Sequence, residues 1–144
     1  MKIWIVDDDE IFQMVTRLNL QSVDNEGEQE IFTNGRDPLD MLNNLIISGG
    51  ILPDIILLDI NMPIYDGWSF LKSYALFPQS IREKISIYIC SSSIDPKDRE
   101  AAASDSNVIT FVEKPLDKIF IGKIIDRKST RLNSSHSSVS RMPS

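Results

Sequence analysis

Four consecutive aliphatic residues, Ile55-Ile56-Leu57-Leu58, run straight into an acid, Asp59. An apolar run without polar alternation reads as a strand buried on both faces, the kind found in parallel sheets covered by helices. The rest of the chain supplies partners for it, because short apolar runs alternate with segments of helical period. A first strand is predicted over Lys2–Val6, followed by Ile11, Met14, Val15 and Leu18 at the i, i+3, i+4, i+7 spacing of a helical stripe. Glu28–Phe32 is short and polar, which suits an edge strand. Asp37-Pro38 reads as a helix cap followed by proline at the first helical position, with Leu39, Leu42 and Ile46 inside the helix and Gly49-Gly50 at its end.

The same alternation continues beyond the central strand, predicted over Asp54–Leu58. A helix follows Gly67, with Phe70, Leu71, Tyr74 and Ala75 facing inward. Strand four is predicted over Ile85–Cys90. Asp95-Pro96 repeats the cap-and-proline signal and opens a fourth helix, Asp95–Ser104, anchored weakly by Ala101, Ala102 and Ala103. Strand five covers Val108–Val112. A last helix from Leu116 to Asp126 carries Ile119, Phe120, Ile124 and Ile125. Five strands alternating with helices imply a parallel, doubly wound α/β sheet with right-handed crossovers.

In such sheets ligands gather at the carboxyl ends of the strands. Strand one ends in Asp7-Asp8-Asp9, strand three in Asp59, strand four in Ser91 and strand five in Lys114-Pro115. Clustered carboxylates repel one another and call for a cation. An acid pair, a lone acid, a hydroxyl and a lysine, each at a strand end, resemble the receiver domain of two-component response regulators. The resemblance covers residues 1–126 and implies a flavodoxin-like (βα)5 sheet of strand order 2-1-3-4-5.

The resemblance also implies roles. Asp59 is the expected phosphoacceptor, since a carboxylate can attack phosphorus and form an aspartyl-phosphate. Mg²⁺, or Mn²⁺, is expected on Asp8, Asp59 and the backbone carbonyl of Asn61, with Asp7 acting through water. Ser91 is expected to hydrogen-bond a phosphoryl oxygen. Lys114 should pair with the phosphoryl group and, before phosphorylation, with Asp59. Ser92 fits the small residue beside the phosphate. Asn61 and Ser93 should line the path of the water that removes it. Pro115 is expected to follow a cis bond. Phe111 is expected at the rotamer-switch position, although a buried core phenylalanine without that role is an alternative. The implied partners are a sensor histidine kinase or histidine phosphotransfer protein, and a downstream protein that reads a surface made by the fourth helix, the fifth strand and the last helix.

Two other readings compete. Asp7 and Asp9 after a hydrophobic strand also match the first motif of haloacid-dehalogenase-type phosphatases. Those enzymes need a late acidic pair, whereas Asp95, Asp98 and Asp105 are scattered, and Asp59 is left unused. A phosphorylation-independent binding module is the second rival, but such domains lose an acid or the lysine and this chain keeps both.

Composition narrows the function classes. The net charge is −6 and all 21 acidic residues lie at or before Asp126, so the body is acidic and ill suited to direct nucleic-acid binding. No apolar stretch approaches the ~20 residues of a membrane span, and a cytoplasmic protein is expected. Cys90, the one cysteine, sits in the apolar run Ile87–Cys90 and reads as a core residue. Trp4 and Trp68 read as packing residues. Residues 127–144 carry seven serines and no hydrophobic period, so they are expected to be disordered or non-native and outside the fold. His136, the only histidine, lies there, so the phosphodonor must be another protein or a small molecule.

Overall fold

The structure is a computed structural model that describes residues 1–92 and 95–140, the last ten of these as backbone. Its elements are β1 (Lys2–Val6), α1 (Glu10–Val23), β2 (Glu28–Phe32), α2 (Arg36–Ser48), β3 (Ile55–Leu58), α3 (Gly67–Tyr74), α4 (Gln79–Arg82), β4 (Ser86–Ser91), α5 (Pro96–Ser104), β5 (Val108–Glu113) and α6 (Lys118–Ser140). The five strands form one parallel sheet of order β2-β1-β3-β4-β5. This is the doubly wound, flavodoxin-like arrangement expected. The single turn of α4 was not anticipated, so the fourth and fifth helices of the sequence reading are α5 and α6.

Alternation along the strands divides the core between two faces. Trp4, Val6, Ile56 and Leu58 point toward α2 and α3, where Leu39, Leu42, Phe70, Leu71 and Tyr74 meet them. Ile3, Ile5, Ile55 and Leu57 point toward α1 and α6, onto Phe12, Leu20, Ile121, Ile124 and Ile125. Cys90 is fully buried, as expected, and burial pushes its thiol pKa well up.

Several local expectations are corrected. The stripe Ile11, Met14, Val15 and Leu18 faces solvent, with Ile11 71% and Leu18 59% exposed, while Phe12, Thr16 and Leu20 are buried instead. The helix phase is set at its two ends. Asp9 caps the amides of Ile11 and Phe12, and the Asn19 side chain donates to the Leu116 carbonyl across from α6. Helix α2 begins one residue before the predicted cap. Asn34 accepts from the amides of Arg36 and Asp37, so the capping side chain is Asn34 and not Asp37. Ala75 is exposed at the C-cap of α3, and Ile119 is exposed on α6. Gly49, at φ 71°, ends α2 in the left-handed conformation that suits glycine.

The last helix also passes the predicted boundary at Asp126 and runs to Ser140. No glycine or proline interrupts residues 127–140, and a nucleated helix extends at little cost per residue. Lys128 is buried, its ammonium donating to the Lys84 carbonyl at 2.7 Å and the Ser86 hydroxyl at 3.2 Å. Among the described residues, no helix is long and apolar enough to cross a membrane.

Candidate functional site

Sheet register brings the expected groups together. Val6 pairs with Leu58, and the ladder continues one residue further, with the Asp59 amide donating to the Val6 carbonyl and the Asp7 amide to Phe32. Asp7 and Asp59 therefore leave adjacent strands side by side. On the other flank Ser91 pairs with Glu113, and the Lys114 amide donates to the Ser91 carbonyl. The bond between Lys114 and Pro115 is cis, as expected.

Ligand oxygens of Asp7, Asp8 and Asp59 all lie within 4.8 Å of one another. Asp7 and Asp59 are buried and Asp8 is exposed. Among the described residues one cation faces them: Lys114 Nζ is 2.7 Å from Asp7 Oδ2 and 3.7 Å from Asp59 Oδ2. The lysine thus leans on Asp7 more closely than on Asp59, the partner expected from sequence. Three carboxylates against one ammonium leave the pocket short of positive charge. The donor set is all oxygen, which fits a hard divalent cation. Asp8 is exposed, so one side of the cluster faces solvent.

The charges of the site show this shortage. Burial pushes the Asp7 carboxyl up to about 6, against the pull of Lys114 and of the Asp9 amide, and the nearby Asp59 charge adds to the rise. Asp59 is also raised, first by burial and further by Asp8, with the Asn61 amide and Lys114 opposing. Burial alone would lower the Lys114 pKa, but its bond to Asp7 and the charges of Asp7 and Asp59 outweigh this, and it is raised.

Asn61 connects the acids to the hydroxyl. Its amide nitrogen donates to Asp59 Oδ1 at 3.1 Å and its side-chain nitrogen to Ser91 Oγ at 3.1 Å. Ser91 is fully buried and Ser92 is exposed beside it. Ser93 lies outside the described residues. Phe111 is half-buried on β5, with the Arg99 guanidinium 5.0 Å above its ring.

Sequence reasoning missed other contributors. Phe12 lies under Lys114, 4.4 Å from ammonium to ring centre, and Gln13 Nε2 donates to the Asp7 carbonyl at 2.6 Å. Both belong to the helix face that the apparent stripe concealed. Gly67 presses on the end of β3, where an added Cβ would stand 2.5 Å from the Asp59 carbonyl oxygen. Only glycine fits there without moving the backbone of Asp59. The Asp66-Gly67 pair was a visible signal for it.

The sequence model of the response regulator receiver domain matches residues 3–126. A curated relative, protein-glutamate methylesterase/protein-glutamine glutaminase 3 of Leptospira interrogans, is 32% identical over 117 residues, covering 80% of this chain and 30% of its own. The chain therefore spans about a third of that relative's length. Among solved structures, a two-component response regulator from Cytophaga hutchinsonii superposes with a TM-score of 0.80 at 27% identity, over 90% of this chain and 96% of the other. One from Legionella pneumophila gives 0.77 at 28% identity, over 90% and 98%.

Proposed function

The chain belongs to the response regulator receiver family, and from that premise we propose that Asp59 accepts a phosphoryl group from a sensor histidine kinase or a histidine phosphotransfer protein. The observation that carries this is the meeting of Asp7, Asp8, Asp59 and Lys114 at one sheet edge. An Asp59 oxygen attacks phosphorus as the bond from phosphorus to the donor histidine nitrogen breaks, and the imidazole leaves carrying the nitrogen's electron pair. In this reading Asp8, Asp59 and the Asn61 carbonyl would hold Mg²⁺, with Asp7 acting through water. The ion would supply the positive charge that lets an anion approach a phosphoryl dianion. Lys114, already between two carboxylates, moves toward the new phosphoryl oxygens, and Ser91 turns its hydroxyl to them.

The fully buried Asp7 holds its two oxygens on the Asp9 amide and the Lys114 ammonium. Asp9 is occupied as a helix cap. Asp9 is therefore not free to act as the second acid of the phosphatase motif, and that reading gives Asp59 no role, which favours the phosphoacceptor over the enzyme. The partner surface in this reading is α5, β5 and α6, with Phe111 turning inward when Ser91 moves. A cytoplasmic setting follows from the kinase partner.

Incubation with acetyl phosphate and Mg²⁺, then mass mapping, tests the reading. A single phosphoryl group on Asp59, absent without a divalent cation and absent in Asp59→Asn, is expected. Labelling at Asp7, or equal labelling of the variant, overturns it.

A further inference from the structure

The segment from Asp59 to Gly67 carries the acceptor and Asn61, and it is held at two points. Gly67 presses on the Asp59 backbone at one end. At the other, the Gly35 amide donates to the Tyr65 carbonyl at 2.9 Å. Gly35 belongs to the β2–α2 loop, two strands away from β3. A Cβ at Gly35 would stand 2.8 Å from the Asp66 carbonyl oxygen and 2.9 Å from that of Tyr65. Both are backbone atoms, so neither can yield by a side-chain rotation.

The Gly35 loop is itself firmly built. Asn34 Oδ1 accepts from the amides of Arg36 and Asp37, and its nitrogen donates to Asp37. Tyr65 is fixed as well. Its hydroxyl lies 2.8 Å from Ser73 Oγ, and the Arg36 guanidinium is 6.0 Å from its ring centre. Between the two anchors Ile64 takes φ 71°, with the Tyr65 amide bonded to the Pro63 carbonyl at 2.7 Å. A β-branched residue in that region is strained, and such a conformation persists only where its surroundings impose it.

We infer that Gly35 and Tyr65 are positioning residues for the acid site. By clamping the β3–α3 loop they hold Ile64 in its strained turn and set where Asn61 presents its carbonyl to the cation and its amide to Ser91. This rests on the phosphoacceptor reading above. The β2–α2 loop, which touches neither the cation nor the phosphoryl group, thereby governs metal affinity and phosphoryl lifetime.

The test uses the full chain, with Mg²⁺ alone as the calorimetric probe and thermal melts in EDTA. Gly35→Ala should weaken Mg²⁺ binding on the order of tenfold, and shorten or lengthen the Asp59-phosphoryl lifetime, with a much smaller change in the metal-free melt. Tyr65→Phe, which removes the bond to Ser73 but keeps the ring, should do the same to a lesser degree. Adding Ile64→Asn to Gly35→Ala should recover part of the affinity, because Asn accepts a positive φ more easily. A melt that falls in both variants while Mg²⁺ affinity stays at the wild-type value overturns the inference and leaves a purely structural clamp. If Gly35→Ala does not fold, Tyr65→Phe decides between the same two outcomes. Failure of the wild type itself to bind Mg²⁺ overturns the underlying reading, a result visible before any variant is made.

Discussion

Helices α3 and α5 follow the two neighbouring strands that end in Asp59 and Ser91, yet they are held in opposite ways. Helix α3 buries Phe70, Leu71 and Tyr74, with Phe70 and Tyr74 stacked at 5.6 Å and Phe77 closing against Tyr74 at 5.9 Å. Its first residue, Gly67, is pressed onto the Asp59 backbone. Helix α5 buries one residue, Ala102. Asp59 is thus mounted on a well-packed support, while Ser91, which in the proposed function responds to its phosphorylation, leads into an element with little to hold it down. A switch needs both. Geometry for phosphoryl transfer must be fixed, and the part that reports it must sit near the low end of local stability.

The largest expected effect tests the rigid side. Phe70→Ala should cost roughly 3–5 kcal/mol in chemical denaturation and should also reduce Asp59 labelling, because α3 supports the acceptor. A loss of stability below that of an ordinary surface substitution would break the contrast at its stronger half.

Acid chemistry gives the next effect. In metal-free protein the Asp7 carboxyl is raised from 3.8 to about 6. A carboxyl raised by folding contributes stability fully below its unfolded value, and that contribution is lost as pH rises through the folded one. Without Mg²⁺ the protein should therefore become less stable between pH 3.8 and about 6 on account of this group. Asp7→Asn should flatten that slope, and saturating Mg²⁺ should reverse it, because the ion binds the ionised carboxylates of the folded state alone. Melts over a pH series in EDTA and in Mg²⁺ check both signs. An unchanged slope in Asp7→Asn would move the strain from the acid end to some other group.

How legible all this was depended on what kind of force fixed each feature. Strand runs such as Ile55–Leu58 are buried whichever way neighbours pack, so the sheet and its strand-end acids could be read directly. Helix α1 could not be phased, because Ile11-Met14-Val15-Leu18 and Phe12-Thr16-Leu20 are both workable stripes. What chose between them was the Asp9 cap and the long-range bond from Asn19 to Leu116. The same slip hid Phe12 beneath Lys114. The position of the lysine, nearer to Asp7 than to Asp59, follows from distances between strand ends that residue order does not contain. Gly35 was invisible for a related reason: the space it leaves is filled by carbonyls from a loop thirty positions away.

On the weak side the expected numbers shrink. Ala102→Gly should destabilise by about 1 kcal/mol through helix propensity and lost contact. Hydrogen exchange should show α5 opening more readily while α3 keeps its protection. Beryllofluoride should alter exchange in α5 and β5, besides the acid cluster, while leaving α3 nearly unchanged. Equal changes in both helices would abolish the distinction, and changes confined to the acids would leave a phosphate carrier without a switch.

The smallest effect concerns the contact that bridges α5 and β5. Arg99 lies on an exposed face of α5, and its guanidinium sits 5.0 Å above the Phe111 ring. A cation over an aromatic face at an exposed site contributes about 0.5–1 kcal/mol. That is little for the whole fold but a sizeable share of what holds α5 in place, since Ala102 is its one buried side chain. Phe111 has no hydroxyl with which to bond at the surface, so Arg99 is the polar partner that favours the ring where it stands. Arg99→Ala should leave overall stability almost unchanged and raise the population of the alternative packing. A given level of beryllofluoride should then produce a larger exchange response in β5. Arg99→Lys should fall between the two, because an ammonium is more strongly hydrated and stacks less well. A double-mutant cycle with Phe111→Leu separates the contact from other effects of removing the arginine. If the Arg99→Ala effect persists undiminished in the Phe111→Leu background, the guanidinium acts elsewhere and the ring is held by the core packing beneath it.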